Sequence, residues 1–343
     1  MIKEVTLVLS ILFILCGCDS RISKEEVKDP LFDLGYTEQE ISKIHSFSEE
    51  LQNSFTSSYN SELLKLINED NPEEAINKYK SMNFDIDTYL YLKEHGYLDN
   101  KIIINKVSKY IEDKYYLLKN LDLYLKYSTE YSDVRSLIEY VNTKSYKKAY
   151  EEYEQSDTTK GINIIASKVY YLGEYEPKDL VEVEDDYKYS STNPTMVKEA
   201  YEAFKKMADD SHELGLNFTI SSAYRSHSTQ DTVYNNYLKK DPQSFVDTYS
   251  SRPGFSDHQT GLAADLKANN LLFEDFTATK EAEWLKDNAY KYGFVIRYPK
   301  GKDKVTGYMY ESWHYRYVGK EAAKEIYENN ITFDEYYAYY LDK

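Results

Sequence analysis

Apolar residues recur at helical spacing through the first half of the chain. Isoleucine, leucine and tyrosine stand three or four residues apart in runs at 61–81, 101–128 and 132–155. Spacing of this kind is typical of helices with one buried face. An earlier run that reaches Leu51 starts behind Thr37 and Glu40, which have the spacing of a capping box. The pattern predicts an all-helical N-terminal domain over residues 31–158.

The pattern changes near residue 158, where β-prone segments begin to alternate with helical ones. A strand is predicted from Leu216 to Ala223. Three further strands are predicted around residues 262–267, 293–298 and 313–318. Helices are predicted around residues 195–214, 228–239, 279–291 and 319–330. Strands mixed with helices in this way indicate a compact α+β domain, residues 159–343, with a small antiparallel sheet flanked by helices.

The chain opens with a basic residue, Lys3, followed by an apolar run that ends at Leu15. This run is shorter than the roughly 20 residues of a membrane-spanning helix and has the order of a secretory signal. The sequence Leu-Cys-Gly-Cys ending at Cys18 resembles the bacterial lipoprotein box. The resemblance implies that residues 1–18 are a signal peptide, that Cys18 is lipidated, and that residues 19–30 tether an extracytoplasmic protein to the cell membrane. An ordinary signal peptide cleaved nearby is the alternative.

Charge and cysteine content narrow the choice of partners. The formal net charge of −17 argues against nucleic acid, whose phosphates require lysine and arginine. It also disfavours adsorption to anionic lipid, so a covalent lipid anchor accounts better for membrane attachment. Both cysteines, Cys16 and Cys18, lie in the leader. Any metal must therefore be held by histidine, aspartate or glutamate.

Three short segments of the second domain hold most of its unusual polar residues. Their sequences are SSAYRSHSTQ, PGFSDHQTGLAAD and YESWHYRYVG, at residues 221–230, 253–265 and 310–319. Asp265 lies in an apolar strand, where an isolated carboxylate is costly unless it is paired or bound to a metal. His258 stands in a glycine-flanked turn, and His314 lies in the last segment. Two histidines and one carboxylate leave a coordination position for water, as a catalytic zinc site requires.

Glu311 stands three residues before His314, where a carboxylate can take a proton from a water molecule at a metal. The spacing alone leaves a second interpretation open, in which each histidine is an ordinary hydrogen-bonded residue of the core or surface. That interpretation suits His45, His95 and His212.

The three segments resemble the VanY-type D-alanyl-D-alanine carboxypeptidase family, zinc peptidases related in fold to the Hedgehog N-terminal domain. The resemblance covers roughly residues 160–330 and rests on three motifs in the same order. It implies that His258, Asp265 and His314 bind zinc. It also implies that Glu311 is the catalytic base.

The same resemblance implies roles for residues around the metal. Arg225 would stabilise the oxyanion that forms when the peptide carbonyl is attacked. Gln230 and Ser256 would lie near the terminal carboxylate of the substrate. Trp313 and Tyr315, the chain neighbours of a ligand, are expected to pack against it and orient it.

The chain departs from the family pattern at four positions. Ala223 replaces a glycine, Asp257 a glutamate, Ser312 a proline, and His227 an aromatic residue. We expect none of the four to touch a proposed ligand or the base. Ala223, Asp257 and His227 are expected to affect the substrate pocket, although His227 also suits a solvent-facing helix start.

The function implied is a zinc-dependent carboxypeptidase that removes the terminal D-alanine from peptidoglycan stem peptides, with the D-Ala-D-Ala cut favoured. An L,D-carboxypeptidase acting on tetrapeptide stems uses the same ligands and is the first alternative. A non-catalytic zinc-containing wall-binding module is a second, which the presence of Glu311 and Arg225 disfavours. An endopeptidase is a third, disfavoured by Gln230 and Ser256. The helical N-terminal domain is expected to be a spacer.

Overall fold

The computed structural model describes residues 29–190, 192–268 and 273–342. The predicted signal peptide and its Cys18 therefore lie outside the described residues, as does most of the predicted tether. The chain divides into two compact units, the first ending at Gly96 and the second beginning at Tyr97. In the described part of the chain, no helix combines the length and the apolar composition needed to cross a bilayer.

The described part of the first unit, residues 29–96, consists of helices joined by turns, as predicted. The capping box predicted at Thr37 and Glu40 is present, with both of its reciprocal hydrogen bonds. The apolar faces of the helices bury side chains such as Ile44, Phe55 and Leu92. The helices are α1 (Pro30–Asp33), α2 (Glu38–Ile44), α3 (Glu49–Thr56), α4 (Ser61–Leu64), α5 (Pro72–Ser81) and α6 (Ile86–Glu94).

The second unit begins with three helices that the sequence pattern assigned to the N-terminal domain. They are α7 (Lys101–Tyr110), α8 (Leu121–Tyr127) and α9 (Val134–Asn142). Polar contacts link this segment to the C-terminal part of the chain. Lys302 Nζ lies 3.1 Å from Glu139 Oε1, and the hydroxyls of Tyr150 and Tyr308 are 3.0 Å apart. The two units thus divide at Gly96, whereas the predicted boundary is at residue 158. Helices with the same apolar spacing lie on both sides of Gly96, so the spacing did not mark the division.

A four-stranded antiparallel sheet forms the centre of the second unit. Each of its strands falls within a strand predicted from the sequence or overlaps it. Their order in the sheet is β5 (Phe218–Ser222), β6 (Ala263–Ala268), β8 (His314–Tyr317) and β7 (Phe294–Ile296). Two short ladders precede it, one parallel between β1 and β2 and one antiparallel between β3 and β4. The strands are β1 (Glu154–Gln155), β2 (Tyr170–Tyr171), β3 (Leu180–Glu182), β4 (Thr195–Val197), β5 (Phe218–Ser222), β6 (Ala263–Ala268), β7 (Phe294–Ile296) and β8 (His314–Tyr317).

Helices flank the sheet, which confirms the predicted α+β class. The longest, α10, packs on the sheet through Phe204, whose ring lies 5.9 Å from that of Phe218 and 6.4 Å from that of Phe294. The helices are α10 (Lys198–His212), α11 (His227–Leu238), α12 (Gln243–Val246), α13 (Phe273–Phe276), α14 (Lys280–Asn288), α15 (Asp303–Thr306), α16 (Lys320–Asn329) and α17 (Phe333–Tyr336), followed by a π-helical turn (Tyr337–Leu341).

The alternation of side chains along β6 and β8 gives the sheet two different faces. Leu266 on β6 and Tyr315 and Tyr317 on β8 join the hydrophobic core beneath α10. Successive residues of a strand point to opposite faces. Asp265 and His314 therefore project from the other face, where the polar segments of the sequence gather.

Candidate active site

The pairing of β6 with β8 brings two of the predicted metal ligands together. Asp265 lies directly opposite His314 in the antiparallel ladder. Side chains in such a pair share one face, with Cβ atoms about 4.5–5.5 Å apart. Asp265 Oδ1 accordingly lies 2.9 Å from Nδ1 of His314. Two residues 49 positions apart in the chain become neighbours through strand pairing alone.

A 3₁₀ turn, Asp257–Thr260, supplies the third ligand just before β6. The turn ends at Gly261, whose φ of +69° lies in the left-handed region that favours glycine. A Cβ atom there would come within 3.0–3.1 Å of the Val197, Leu180 and Pro177 side chains. The turn places His258 Nε2 at 3.2 Å from Asp265 Oδ2.

His258, Asp265 and His314 form a metal-binding group whose ligand atoms all lie within 4.8 Å of one another. Burial lowers the pKa of His258, which favours the neutral imidazole that binds a metal. Burial opposes ionisation of Asp265, but the two histidines hold the pKa of its carboxyl well below the usual range. Two imidazole nitrogens and one carboxylate oxygen, with a position left for water, fit a catalytic zinc ion.

The outer nitrogens of both histidines face hydrogen-bond acceptors, which fits the same ion. His258 Nδ1 lies 2.7 Å from the carbonyl oxygen of Ala223. His314 Nε2 lies 3.5 Å from Asp257 Oδ2. A proton on each outer nitrogen leaves the lone pairs of His258 Nε2 and His314 Nδ1 directed at the metal position.

Glu311 lies at the edge of the metal-binding group, as the resemblance implied. Its backbone N–H donates to the carbonyl of Tyr298, and its Oε2 lies 3.6 Å from His314 Nδ1. Burial raises the pKa of the Glu311 carboxyl to about 7, with Asp265 adding to the rise and His314 and Arg225 opposing it. A carboxylate with a pKa near neutrality is suited to accept and return a proton at physiological pH.

Arg225 and Gln230 each bring an unsatisfied polar atom to the site. Arg225 follows β5, and its backbone N–H donates to the carbonyl of His258. Gln230 lies on α11, where its Nε2 donates to the carbonyl of Ser251 at 2.7 Å. Among residues 29–190, 192–268 and 273–342, no partner lies within hydrogen-bonding distance of Arg225 Nε or Gln230 Oε1, although both atoms are buried. Buried polar atoms without a partner cost about 1–3 kcal/mol each, which indicates a polar ligand.

One cavity of about 480 Å³ connects the predicted site residues. It is lined by the metal-binding group together with Glu311, Arg225, Gln230 and Ser256. Ser256 is almost fully buried at the start of the 3₁₀ turn. The structure therefore brings together all seven residues that the sequence singled out in the catalytic domain.

The expectation that the aromatic neighbours of His314 pack against it is wrong for Tyr315 and stays a prediction for Trp313. Trp313 lines the cavity, with its ring centroid 5.4 Å from that of Phe273. Tyr315 belongs to the hydrophobic core on the opposite face of the sheet, because adjacent strand residues point in opposite directions. The ring that packs near His314 is that of Tyr298, at 5.0 Å between centroids.

The expectation that no departure from the family pattern touches a ligand is wrong for Asp257, which faces His314, and for Ala223, whose backbone carbonyl lies 2.7 Å from His258 Nδ1. Burial alone would raise the pKa of Asp257, but Arg316 beside it holds that pKa below the usual value. The sequence carried one signal, since a buried Arg316 on the same face of β8 as His314 requires a carboxylate partner. The other departures lie elsewhere: Ser312 accepts a hydrogen bond from Thr277. His227 starts α11 and is 26% exposed, as its helix-start interpretation predicted.

Comparison with known proteins gives matches over this half of the chain. Residues 193–320 match the VanY family, described as D-alanyl-D-alanine carboxypeptidase. The chain is 39% identical over 196 residues to the putative carboxypeptidase YodJ of Bacillus subtilis (strain 168). This match covers 55% of the present chain and 72% of YodJ. It is 33% identical over 159 residues to a D-alanyl-D-alanine carboxypeptidase of Enterococcus faecium, covering 46% of this chain and 49% of the relative.

Among solved structures, that of the LdcB LD-carboxypeptidase matches with a TM-score of 0.52 and 38% sequence identity. The match covers 56% of this chain and 92% of the LdcB chain. All seven site residues fall inside the segment that the family match covers.

Proposed function

The chain belongs to the VanY family of D-alanyl-D-alanine carboxypeptidases and is a zinc-dependent metallo-carboxypeptidase; on this premise we propose that its substrate is the peptide stem of bacterial peptidoglycan, from which it removes the terminal D-alanine. The observation that carries the proposal is the cavity in which a three-residue metal-binding group, a carboxylate with a pKa near 7 and two unsatisfied buried polar groups meet.

The proposed hydrolysis needs a metal, a base and a donor to the developing oxyanion. His258, Asp265 and His314 would hold the zinc ion, which would supply Lewis acidity at the scissile carbonyl and lower the pKa of water. Glu311 accepts a proton from the attacking water at its carboxylate and returns a proton to the amine nitrogen of D-alanine as the C–N bond breaks. Arg225 donates hydrogen bonds to the carbonyl oxygen as that oxygen gains negative charge.

Selection of a C-terminal residue needs donors for the terminal carboxylate. We assign this role to Gln230 and Ser256. One N–H of the Gln230 amide donates to Ser251, so its second N–H is the donor for the carboxylate, while the unpaired Oε1 is an acceptor and does not bind that group. The hydroxyl of Ser256, on the cavity wall, is a second donor. An endopeptidase would gain nothing from two donors reserved for a chain end.

The D,D and L,D cuts release the same product and differ in the residue before the scissile bond. The family description and the Enterococcus faecium relative favour the D,D cut, which is our first candidate. The L,D cut is the second candidate, because the likeness to the LdcB LD-carboxypeptidase covers 92% of that chain at 38% identity.

Defined muropeptides test the proposal and separate the two cuts. The soluble chain of residues 19–343, loaded with zinc, is mixed with stems ending in D-Ala-D-Ala or in a single D-Ala, and released D-alanine is measured by mass spectrometry. We expect release from the D-Ala-D-Ala stem and none from the Glu311→Ala protein with zinc bound. Release from the tetrapeptide alone identifies the L,D-enzyme. No release from either stem by a zinc-bound protein overturns the carboxypeptidase proposal.

We also propose that the protein is anchored outside the cytoplasm through a lipid on Cys18. The apolar run before the Leu-Cys-Gly-Cys sequence supports this proposal. Labelling of growing bacteria with a fatty-acid analogue should mark the full-length protein and the Cys16→Ser variant. The Cys18→Ser variant should remain unlabelled. Equal labelling of both variants would refute the assignment of Cys18.

A further inference from the structure

The carboxylate of Asp257 lies at the outer nitrogen of the metal ligand His314, and the residue is part of the cavity lining. Its Oδ2 is 3.5 Å from His314 Nε2, at the long end of the hydrogen-bond range. The Asp257 side chain is fully buried. Asp257 thus precedes the metal ligand His258 in the chain and contacts a second metal ligand, His314, in space.

Two buried arginines fix the position of this carboxylate. Arg316 Nη1 donates to Asp257 Oδ1, and Arg297 Nε lies 3.7 Å from the same oxygen. Arg316 is held in turn by the carbonyls of Ile162 and Tyr317, at 3.0 and 2.9 Å. With one oxygen of Asp257 occupied by guanidinium groups, its second oxygen is left to face His314.

The network extends to a second carboxylate that does not reach the metal-binding group. Arg297 pairs through both terminal nitrogens with Asp334 at the start of α17 and also donates to the carbonyl of Ala166 at 3.1 Å. Two arginines and two aspartates balance in charge. Asp257 and Asp334 are therefore equivalent in charge and nearly so in burial, and differ in their distance from His314.

Contact with Asp257 supports the tautomer of His314 that can bind a metal. Carboxylates that accept hydrogen bonds face both ring nitrogens, and a metal at Nδ1 leaves the single proton on Nε2, where Asp257 accepts it. Nδ1, which lies 2.9 Å from Asp265 and faces the metal position, then keeps its lone pair. His258 reaches the same state through a backbone carbonyl, which no side-chain substitution removes.

We propose that Asp257 is a positioning residue of the zinc site. Its carboxylate orients His314 and fixes the tautomer of that histidine, while Arg316 and Arg297 hold the carboxylate in place. The inference rests on the metal site of the proposed function. Carboxylates in this relation to a metal-binding histidine change metal affinity or activity about 10–100-fold when they are replaced. A merely structural role for Asp257 would instead predict lower stability with unchanged zinc affinity.

Zinc affinity of the metal-free mature chain, measured by competition with a chelator of known affinity, tests the proposal without any substrate. Asp257→Asn should weaken zinc binding about 10–100-fold. Asp334→Asn is the matched control, since it removes the same charge from the same network, and its zinc affinity should stay within about 3-fold of wild type. Asp257→Glu, which restores a carboxylate, should bind zinc more tightly than Asp257→Asn.

A second variant covers the case in which Asp257→Asn does not fold. Removing one partner of a buried ion pair is costly, whereas removing both together avoids an uncompensated charge. The double variant Asp257→Asn/Arg316→Gln should therefore fold and show the same loss of zinc affinity. A folded Asp257 variant with wild-type zinc affinity, or an equal loss in Asp334→Asn, would overturn the proposal. Failure of the wild-type chain to bind zinc would instead refute the metal site itself.

Discussion

Replacing Glu311 by glutamine separates the cost of burying a carboxylate from its use in catalysis. The Glu311 side chain is 10% exposed and the pKa of its carboxyl is raised from 4.5 to about 7 in the metal-free fold. Folding therefore disfavours the ionised form. The cost is absent below the unfolded pKa of 4.5, grows as the pH rises toward 7, and is fully present above it. Glutamine has nearly the same shape and carries no charge at any of these pH values.

The magnitude follows from the shift in pKa. One pH unit corresponds to about 1.4 kcal/mol, so the ionised carboxylate costs up to about 3 kcal/mol of folding free energy at pH 8. We expect metal-free Glu311→Gln to be about 1–3 kcal/mol more stable than wild type at pH 8 and equally stable at pH 4.5. Urea unfolding of the zinc-free proteins at the two pH values measures the difference, and the acidic sample is the internal control.

The same substitution should remove the proposed base from the zinc-loaded enzyme. General acid–base catalysis contributes about 10²–10⁴-fold, so D-alanine release should fall by at least that factor while zinc stays bound. A Glu311→Gln protein with unchanged stability at pH 8 would refute the burial cost. A variant that turns over at the wild-type rate would refute the assignment of the base.

Three further substitutions give measurable expectations. Gly301→Ala should cost roughly 1–2 kcal/mol of stability through left-handed backbone strain alone, because its added methyl group would meet no neighbour. Gly261→Ala should cost more, because its methyl group would also meet neighbouring side chains, and thermal melts of the two variants measure the difference. Burial lowers the pKa of Lys168 to about 8, so wild type should gain stability relative to Lys168→Met between pH 8 and 10, as measured by urea unfolding of both proteins. Arg225→Ala should lower kcat about 10²–10³-fold with zinc affinity unchanged, and an unaltered kcat would contradict the oxyanion role.

Local signals in the sequence predicted most of the helices and strands of the fold. The capping box at Thr37 and Glu40 and the four strands of the central sheet rest on nearest-neighbour chemistry and alternation, which a sequence displays directly. The three polar segments likewise carry their chemistry in consecutive residues. Pairing of β5, β6 and β8 then brings the three segments to one cavity, where all seven site residues lie.

Long-range contacts account for what the sequence did not reveal. Helices with the same apolar spacing lie on both sides of the loop between α6 and α7, so the pattern could not show that the second unit begins at Tyr97. The role of Asp257 depends on Arg297 and Arg316, which lie 40 and 59 residues further along the chain. The opposite orientation of Tyr315 follows from strand alternation and was predictable once β8 was assigned.

The pairing of Asp265 with His314 has a consequence for how the sheet assembles. A slip of β8 by one residue against β6 would turn His314 to the opposite face and replace it with Trp313 or Tyr315, so the slipped sheet would lack a metal site. Zinc can bind only the native alignment, and its binding free energy is added to that alignment alone. Zinc supplied during refolding should therefore favour the native alignment of β8 with β6. It should raise the yield of correctly paired protein as well as complete the active site.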